Sequence, residues 1–134
     1  MKKTLLMLTA LTLMSGCTTL TRQEQMQLQQ LKSQGITLDR PAGNFETPNS
    51  PLMAGLLNIL PGIGNLYLAT GNGGDISHAL YGFGNLLLWP ISVVWAVPEG
   101  AIDAINLNKR ELIYYYKYDP YGKQEAARRG IRLD

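Results

Sequence analysis

The residues that could carry out chemistry in this chain are few and far apart. The chain has one cysteine, Cys17, and one histidine, His78, among 134 residues. A metal site needs several histidine, cysteine or carboxylate ligands together, and a hydrolytic triad needs a histidine between a nucleophile and a carboxylate. The spacing of these residues suggests neither arrangement. We therefore predict no enzyme activity, no catalytic residue, no metal site and no cofactor.

Asp75 and His78 are the one pair whose spacing brings two titratable groups together. Residues three apart lie on the same side of a helix, so the two side chains could form a proton-handling pair. The same spacing is ordinary at the start of a helix, where an aspartate caps the first turn. We interpret Asp75 as a helix start. The glycines near 62–64 and 71–74 lack the strand and helix context of a phosphate-binding loop, and we interpret them as bends.

Cys17 ends an N-terminal segment that is typical of export. Lys2 and Lys3 precede an apolar stretch over 4–14, and two small residues, Ser15 and Gly16, come directly before the cysteine. This pattern predicts a signal peptide over residues 1–16. A lone cysteine in an exported chain cannot form an internal disulfide, so it is either a free thiol or a modified one.

The segment Met14-Ser15-Gly16-Cys17 resembles the lipobox of bacterial lipoproteins, with Met14 where leucine is preferred. The resemblance implies cleavage before Cys17, a diacylglycerol on its thiol and an acyl group such as palmitate on its amine. Two or more acyl chains hold a protein on a membrane stably. Cys17 is thus the predicted lipidation site, and membrane lipid is the predicted partner.

The charge balance excludes nucleic acid as a partner. Without residues 1–16, ten basic side chains face ten acidic ones, so no net positive charge attracts a polyanion. From Lys109 onward, seven basic side chains outnumber four acidic ones. This tail could contact anionic headgroups, but its basic residues are dispersed, and we interpret it as a solvated surface.

Residues 51–98 form an apolar region in which Asp75 is the only charged residue. Two apolar runs, 52–69 and 79–97, flank a polar turn at 70–74 and predict an antiparallel helical hairpin in or against a membrane. Pro61 and Pro90 predict kinks in these helices.

Several residues of this hairpin carry more specific predictions. Gly82 and Gly84 should let the first helix approach, while Trp89 should pack inside and Trp95 should lie at the headgroup level. Two interpretations remain open for the asparagines of the hairpin, which either bond across the helix pair or are exposed at kinks. These residues are Asn58, Asn65 and Asn85.

The remaining segments complete a predicted all-α fold with a helical hairpin, an amphipathic helix, an N-terminal helical stalk and a short C-terminal helix. Residues 17–36 contain a helix with capping-box spacing at Thr21 and Glu24, ended by Gly35. We interpret it as a solvated stalk or a helix lying loosely on the rest, with a coiled-coil partner helix as the alternative. Residues 37–50 are a linker that ends at Ser50, a good N-cap, and Pro51 follows at the first helical position. Over 99–134, an amphipathic helix opens at Pro98 and a short polar helix begins at 119–120 and ends at Gly130. The apolar stripe of the amphipathic helix contains Ile102, Ile105, Leu112, Ile113 and Tyr116. This helix either lies in the membrane interface or packs as a core helix.

Three segments together resemble a group of small bacterial envelope lipoproteins with a two-transmembrane-like, glycine-rich hairpin. They are residues 62–67, the apolar run from Leu86 to Trp95, and Asn106 with the tyrosines that follow it. Residues 96–97 depart from the pattern, which has an acidic residue there. The resemblance implies an envelope lipoprotein without catalytic residues to carry over.

These patterns predict a lipid-anchored protein of the bacterial cell envelope with a structural or interaction role. Its partner would be an envelope protein or a second copy of the chain. A membrane-active or exclusion lipoprotein, of a kind that blocks phage, is the alternative. If the hairpin spanned the inner membrane, the loop over 70–78 would lie in the cytoplasm, where loops are usually rich in Lys and Arg. This loop has neither, which argues against a full span. In enteric lipoproteins, an aspartate directly after the lipidated cysteine resembles a signal for retention in the inner membrane. This chain has Thr18 at that position, which favours the outer membrane.

Overall fold

The computed structural model describes residues 18–60, 62–71 and 74–133, and all regular structure within these ranges is α-helical. This confirms the predicted all-α fold. The signal peptide, Cys17, Pro61 and the middle of the turn at 70–74 lie outside the described residues. The helices, in chain order, are α1 (Arg22–Ser33), α2 (Pro51–Leu57), α3 (Ile63–Thr70), α4 (Ser77–Leu87), α5 (Val93–Tyr118) and α6 (Pro120–Arg128).

Helix α1 has both predicted caps. The Thr21 hydroxyl accepts from the Glu24 amide at 3.2 Å, and the Glu24 carboxylate accepts from the Thr21 amide at 2.6 Å. At the other end, the Ile36 amide reaches back to the Leu31 carbonyl at 3.1 Å while Gly35 adopts a φ of +76°. This six-to-one bond across a left-handed glycine is a Schellman cap.

The interpretation of α1 as a solvated stalk is wrong. Leu31 and Ile36 are fully buried and pack with Leu112 and Tyr116 of α5 and with Ile131 beyond α6. The apolar stripe of α1 is narrow, but the Schellman turn adds Ile36 to it and α5 offers a matching stripe. Burial of these aliphatic side chains therefore attaches the N-terminal segment to the body of the protein.

The predicted linker, residues 37–50, has no helix, yet it is packed along α5. The amide and carbonyl of Asn49 are bonded to the side chain of Asn108, at 2.9 and 2.6 Å. The Tyr116 hydroxyl donates to the Ala42 carbonyl, and the rings of Phe45 and Tyr115 are in contact. These contacts satisfy part of the irregular backbone that the prolines leave without helical partners.

The apolar region forms three short helices and the start of α5 rather than two long ones. Ser50 caps α2 as predicted, accepting from the Met53 amide. The predicted boundary at Pro98 is wrong, because α5 begins at Val93 and passes through Pro98 without ending. A proline at this point removes a single bond close to the helix start, whereas the chain over 88–92, which contains Pro90, is irregular.

Close contacts at glycine positions, including Gly100 and Gly82, hold the apolar region together. Gly100 of α5 lies against α2, where an added Cβ would be 2.4 Å from Asn58 Nδ2 and 2.9 Å from the Ala54 carbonyl oxygen. Gly82 of α4 lies against Gly62, as predicted, and an added Cβ would be 2.9 Å from the Gly62 carbonyl oxygen. The same prediction is wrong for Gly84, which has open space around its Cβ position. Thus α2 packs on α5, and α4 packs on α3.

The C-terminal part of α5 is a core helix, and α6 closes its end. Leu112 and Ile113 of the predicted stripe are buried, but Ile102 is 49% exposed. Asp119 caps α6 and accepts from the amides of Tyr121 and Gly122. Gly130 ends α6 with a φ of +69°, as predicted.

Candidate functional site

The apolar region carries a large uncharged surface. Leu80, Ile76 and Val94 are each more than three-quarters exposed, and Trp89, predicted to pack inside, is 55% exposed. We define the apolar surface as the exposed large apolar side chains of residues 51–98: Leu52, Met53, Leu56, Ile59, Leu60, Ile63, Leu66, Ile76, Leu80, Phe83, Leu86, Leu87, Leu88, Trp89, Ile91 and Val94. Soluble monomers rarely expose so many apolar side chains on neighbouring elements, and such surfaces mark contacts with proteins or membranes.

Several polar side chains of this region are buried and bond to its irregular backbone. Asn58 is 1% exposed; its Oδ1 accepts from the Asn65 amide at 3.1 Å, and its Nδ2 donates to the Ala96 carbonyl at 2.8 Å. At the second break, Ser92 Oγ donates to the Asn85 carbonyl at 2.8 Å and Trp95 Nε1 donates to Asn85 Oδ1 at 3.2 Å. All three asparagines are buried rather than exposed at kinks. The side chains of Asn58 and Asn85 bond across the breaks, whereas Asn65 contributes its backbone amide and its Nδ2 has no hydrogen-bond partner.

Irregular backbone can lie at membrane depth only where protein groups satisfy it. Asn58 joins α2, α3 and α5, and Asn85 with Ser92 closes the break between α4 and α5. The region thus combines an apolar exterior with internal hydrogen bonds at both breaks in its helices. No helix within the described residues is both long and apolar enough to cross a membrane.

A second site is polar and buried, and it surrounds Thr18. The Thr18 amide donates to Asp103 Oδ1 at 2.6 Å, and Asn106 Nδ2 donates to the Thr18 carbonyl at 2.7 Å. The Thr18 hydroxyl lies 2.9 Å from His78 Nε2. All three polar groups of Thr18 therefore have partners, and we call His78, Asp103 and Asn106 the Thr18 site.

Arg110 extends this contact along the chain. Its Nη2 donates to the Thr19 carbonyl at 3.3 Å, and its Nε donates to Glu24 Oε1 at 2.9 Å. Residues 18–24 are thereby held along α5 from Asp103 to Arg110.

Burial controls the charge states in the Thr18 site. His78 and Asp103 are each 1% exposed, and His78 Nδ1 lies 3.7 Å from Asp103 Oδ2. Burial raises the pKa of Asp103 to about 7, although the Thr18 amide lowers it and Glu99 raises it further. Burial also lowers the pKa of His78, against the opposing effect of Asp75, so the ring is neutral at neutral pH.

The order Thr18, His78, Asp103 is that of a nucleophile, a base and an orienting carboxylate. Three features of this site differ from those of such a triad. The Thr18 amide is used by Asp103, the imidazole ring is closed to solvent, and 3.7 Å is too long for the hydrogen bond that would orient the ring. An open groove of about 710 Å³ lies elsewhere, along α1, between Arg22 and Arg132.

The sequence offered Asp75 as a possible partner of His78, but the carboxylate beside the His78 ring in the structure is Asp103. Asp75 accepts from the Ser77 amide at 2.9 Å directly before α4, which agrees with its interpretation as a helix start, although the N-cap position is Ile76 and has no side-chain cap. Asp103, Asn106 and Arg110 were not recognised as a group. The available signal was their spacing of three and four residues, which places polar side chains on one side of α5.

The described residues contain no group of three or more His, Cys, Asp or Glu side chains that could hold a metal ion. Comparison of the chain with protein-family models, with curated proteins and with solved structures found no match. The apolar surface and the Thr18 site are therefore the features on which a function can be argued.

Proposed function

We propose that this protein is a lipid-anchored protein of the bacterial cell envelope that places its apolar surface in the periplasm-facing leaflet of a membrane. Its role there is structural or interaction-based rather than catalytic. Acyl chains on Cys17 supply the first membrane contact and the apolar surface supplies the second. The small envelope lipoproteins that the sequence resembles have the same combination of anchor and apolar region.

The observation that carries the proposal is the apolar surface itself, which has an exposed exterior without charge and a hydrogen-bonded interior. Large exposed side chains such as Phe83 and Leu87 gain roughly 1.5–3 kcal/mol each when they leave water completely. A surface of this size therefore favours an apolar environment even when each side chain is only partly transferred.

Helix length supports shallow embedding over a full span. The longest helix that lies wholly in the apolar region, α4, has 11 residues. At 1.5 Å per residue it is about 16 Å long, whereas the hydrocarbon core of a bilayer is about 30 Å thick. The helices of the apolar region thus match the depth of one leaflet. Thr18 in place of aspartate supports the outer membrane as the location.

The test uses the acylated protein in vesicles that contain lipids brominated along the acyl chain. Both tryptophans of the chain, Trp89 and Trp95, lie in the apolar region, so selectively excited tryptophan fluorescence reports on that region alone. We expect strong quenching of the wild-type protein. Fluorescence that brominated lipids leave unchanged would refute embedding of the apolar surface.

Two matched variants locate the contact. Phe83→Glu puts a charge on the apolar surface at a position that is 63% exposed, and it should reduce quenching because a carboxylate resists transfer into hydrocarbon. Tyr121→Glu makes a similar change at a 73% exposed aromatic residue on α6 and should leave quenching unaltered. Equal quenching in the two variants would contradict the proposed orientation. Release of trapped dye from the same vesicles would favour the membrane-active alternative.

A further inference from the structure

Thr18 is bound more completely than a simple tether requires. Its amide, hydroxyl and carbonyl each contact a side chain that is 60 or more positions away in the sequence. Two of these side chains, His78 and Asp103, are almost fully buried. Burying two titratable groups is costly unless they are satisfied, so the interaction with Thr18 offsets part of a desolvation cost.

We infer that the Thr18 site is a docking site for the residue that follows the acylated cysteine, and that docking fixes the acylated end of the chain beside α4. This inference rests on the proposed lipidation of Cys17. Because Thr18 is covalently joined to Cys17, the acyl chains begin one residue from the docked position, about 3.8 Å between Cα atoms. The acyl chains and the apolar surface then enter the same leaflet together.

His78, the one residue of the Thr18 site that belongs to α4, shows how the acyl anchor and the apolar surface are aligned. His78 is on the buried side of α4, while Ile76 and Leu80, two residues away in each direction, are 77% exposed. A helix with its side chains is about 10–12 Å across. The docked residue and the apolar surface are therefore separated by about one helix diameter.

Docking also removes freedom that a tether would otherwise have. If Thr18 were undocked, the four residues before α1 could extend up to about 14 Å, and the body of the protein could turn relative to its anchor. Holding Thr18 in place removes these orientations before the apolar surface meets the membrane. Pre-organisation of this kind strengthens a second contact without adding new interactions.

The chemistry of the site selects the residue that it accepts. The hydroxyl group of Thr18 can donate to or accept from His78 Nε2, and serine offers the same group. Valine has nearly the same shape but would leave Nε2 buried without a partner. Aspartate would bring a second carboxylate close to Asp103, and like charges in a buried site repel strongly. The site is therefore specific for a small hydroxyl residue.

The first measurement is amide hydrogen exchange and histidine NMR on the full acylated protein in micelles. His78 is the only histidine, so its ring signals are unambiguous. We expect the Thr18 amide of the wild-type protein to exchange at least about 100-fold more slowly than in an unstructured peptide. Thr18→Val should shift the His78 ring signals and reduce this protection about five- to tenfold, while Thr18→Ser should change neither greatly. An unprotected Thr18 amide in the wild type would overturn the docking site.

The second measurement separates docking from membrane embedding. Lipids brominated at different depths should quench Thr18→Ser at the wild-type depth and Thr18→Val at a shallower and broader range of depths. A protected Thr18 amide with identical depth profiles for both variants would overturn the role of docking in orientation. Absence of quenching in the wild type, with the Thr18 amide still protected, would instead refute the proposed function and leave the docking contact itself established.

Discussion

Replacement of Asp103 by asparagine should remove a pH dependence of stability that the buried carboxyl group creates. Burial raises the pKa of Asp103 from its ordinary 3.8 to about 7, so the folded protein binds its proton more tightly than the unfolded chain does. The tighter proton binding stabilises the folded protein, and this contribution is fully present at pH values below the pKa of Asp103 in the unfolded chain. That stability is lost as the pH rises through the folded pKa.

The size of this effect follows from the pKa difference. About 3 pKa units at 1.36 kcal/mol each correspond to roughly 4 kcal/mol in total, of which about 3 kcal/mol is lost between pH 5 and pH 8. Asparagine is neutral at both pH values, and its carbonyl oxygen can still accept from the Thr18 amide. The free energy of unfolding of Asp103→Asn should therefore exceed that of the wild type at pH 8, with a much smaller difference at pH 5.

Thermal unfolding of the two proteins in detergent, followed by circular dichroism at pH 5 and pH 8, measures this difference. For a chain of this length, 3 kcal/mol corresponds to a change in Tm on the order of 10 °C. His78 titrates in both proteins with the opposite sign, because burial lowers its pKa and stability is lost as the pH falls. The charged residues that act on Asp103 or His78, namely Asp75, Glu99 and Arg110, are also present in both proteins. A Tm difference that is the same at pH 5 and pH 8 would refute the assignment of a raised pKa to Asp103.

Two further predictions concern the anchor and the packing of the apolar region. Cys17→Ala should block processing and leave a precursor; recovery of this variant with membranes at mature size would show that lipidation is not required. Gly82→Ala should lower the free energy of unfolding by about 2 kcal/mol, because its Cβ would meet the Gly62 carbonyl oxygen at 2.9 Å. Gly84→Ala, which meets open space, should instead stabilise α4 by about 0.5–1 kcal/mol. Equal effects of the two alanine variants in urea unfolding would contradict this packing.

Helix caps were the structural features that the sequence predicted most accurately. The capping box of Thr21 and Glu24, the Ser50 cap of α2 and the Asp119 cap of α6 all form as predicted. Glycine ends both α1 and α6 with positive φ. These features depend on residues within about five positions of one another, so local sequence contains the necessary information.

The prolines were harder to interpret, because a proline can start, kink or interrupt a helix. Pro51 and Pro120 occupy the first turns of α2 and α6, as predicted, whereas Pro98 lies inside α5. Which outcome applies depends on whether packing of the surrounding residues compensates for the lost backbone bond. At Pro98 that compensation includes the close contact of α5 with α2, which the sequence does not reveal.

The sequence alone thus determined the helical class of the protein, the caps of its helices, the extent of its apolar region and the candidate lipidation site at Cys17. These follow from composition, periodicity and short-range hydrogen bonding. Only the tertiary structure decided that α1 packs in the core, that the apolar side chains lie outside, and that Thr18 meets His78, Asp103 and Asn106. Each of these contacts joins residues that are distant in the chain, and their pairing depends on how the helices pack around Gly62, Gly82 and Gly100.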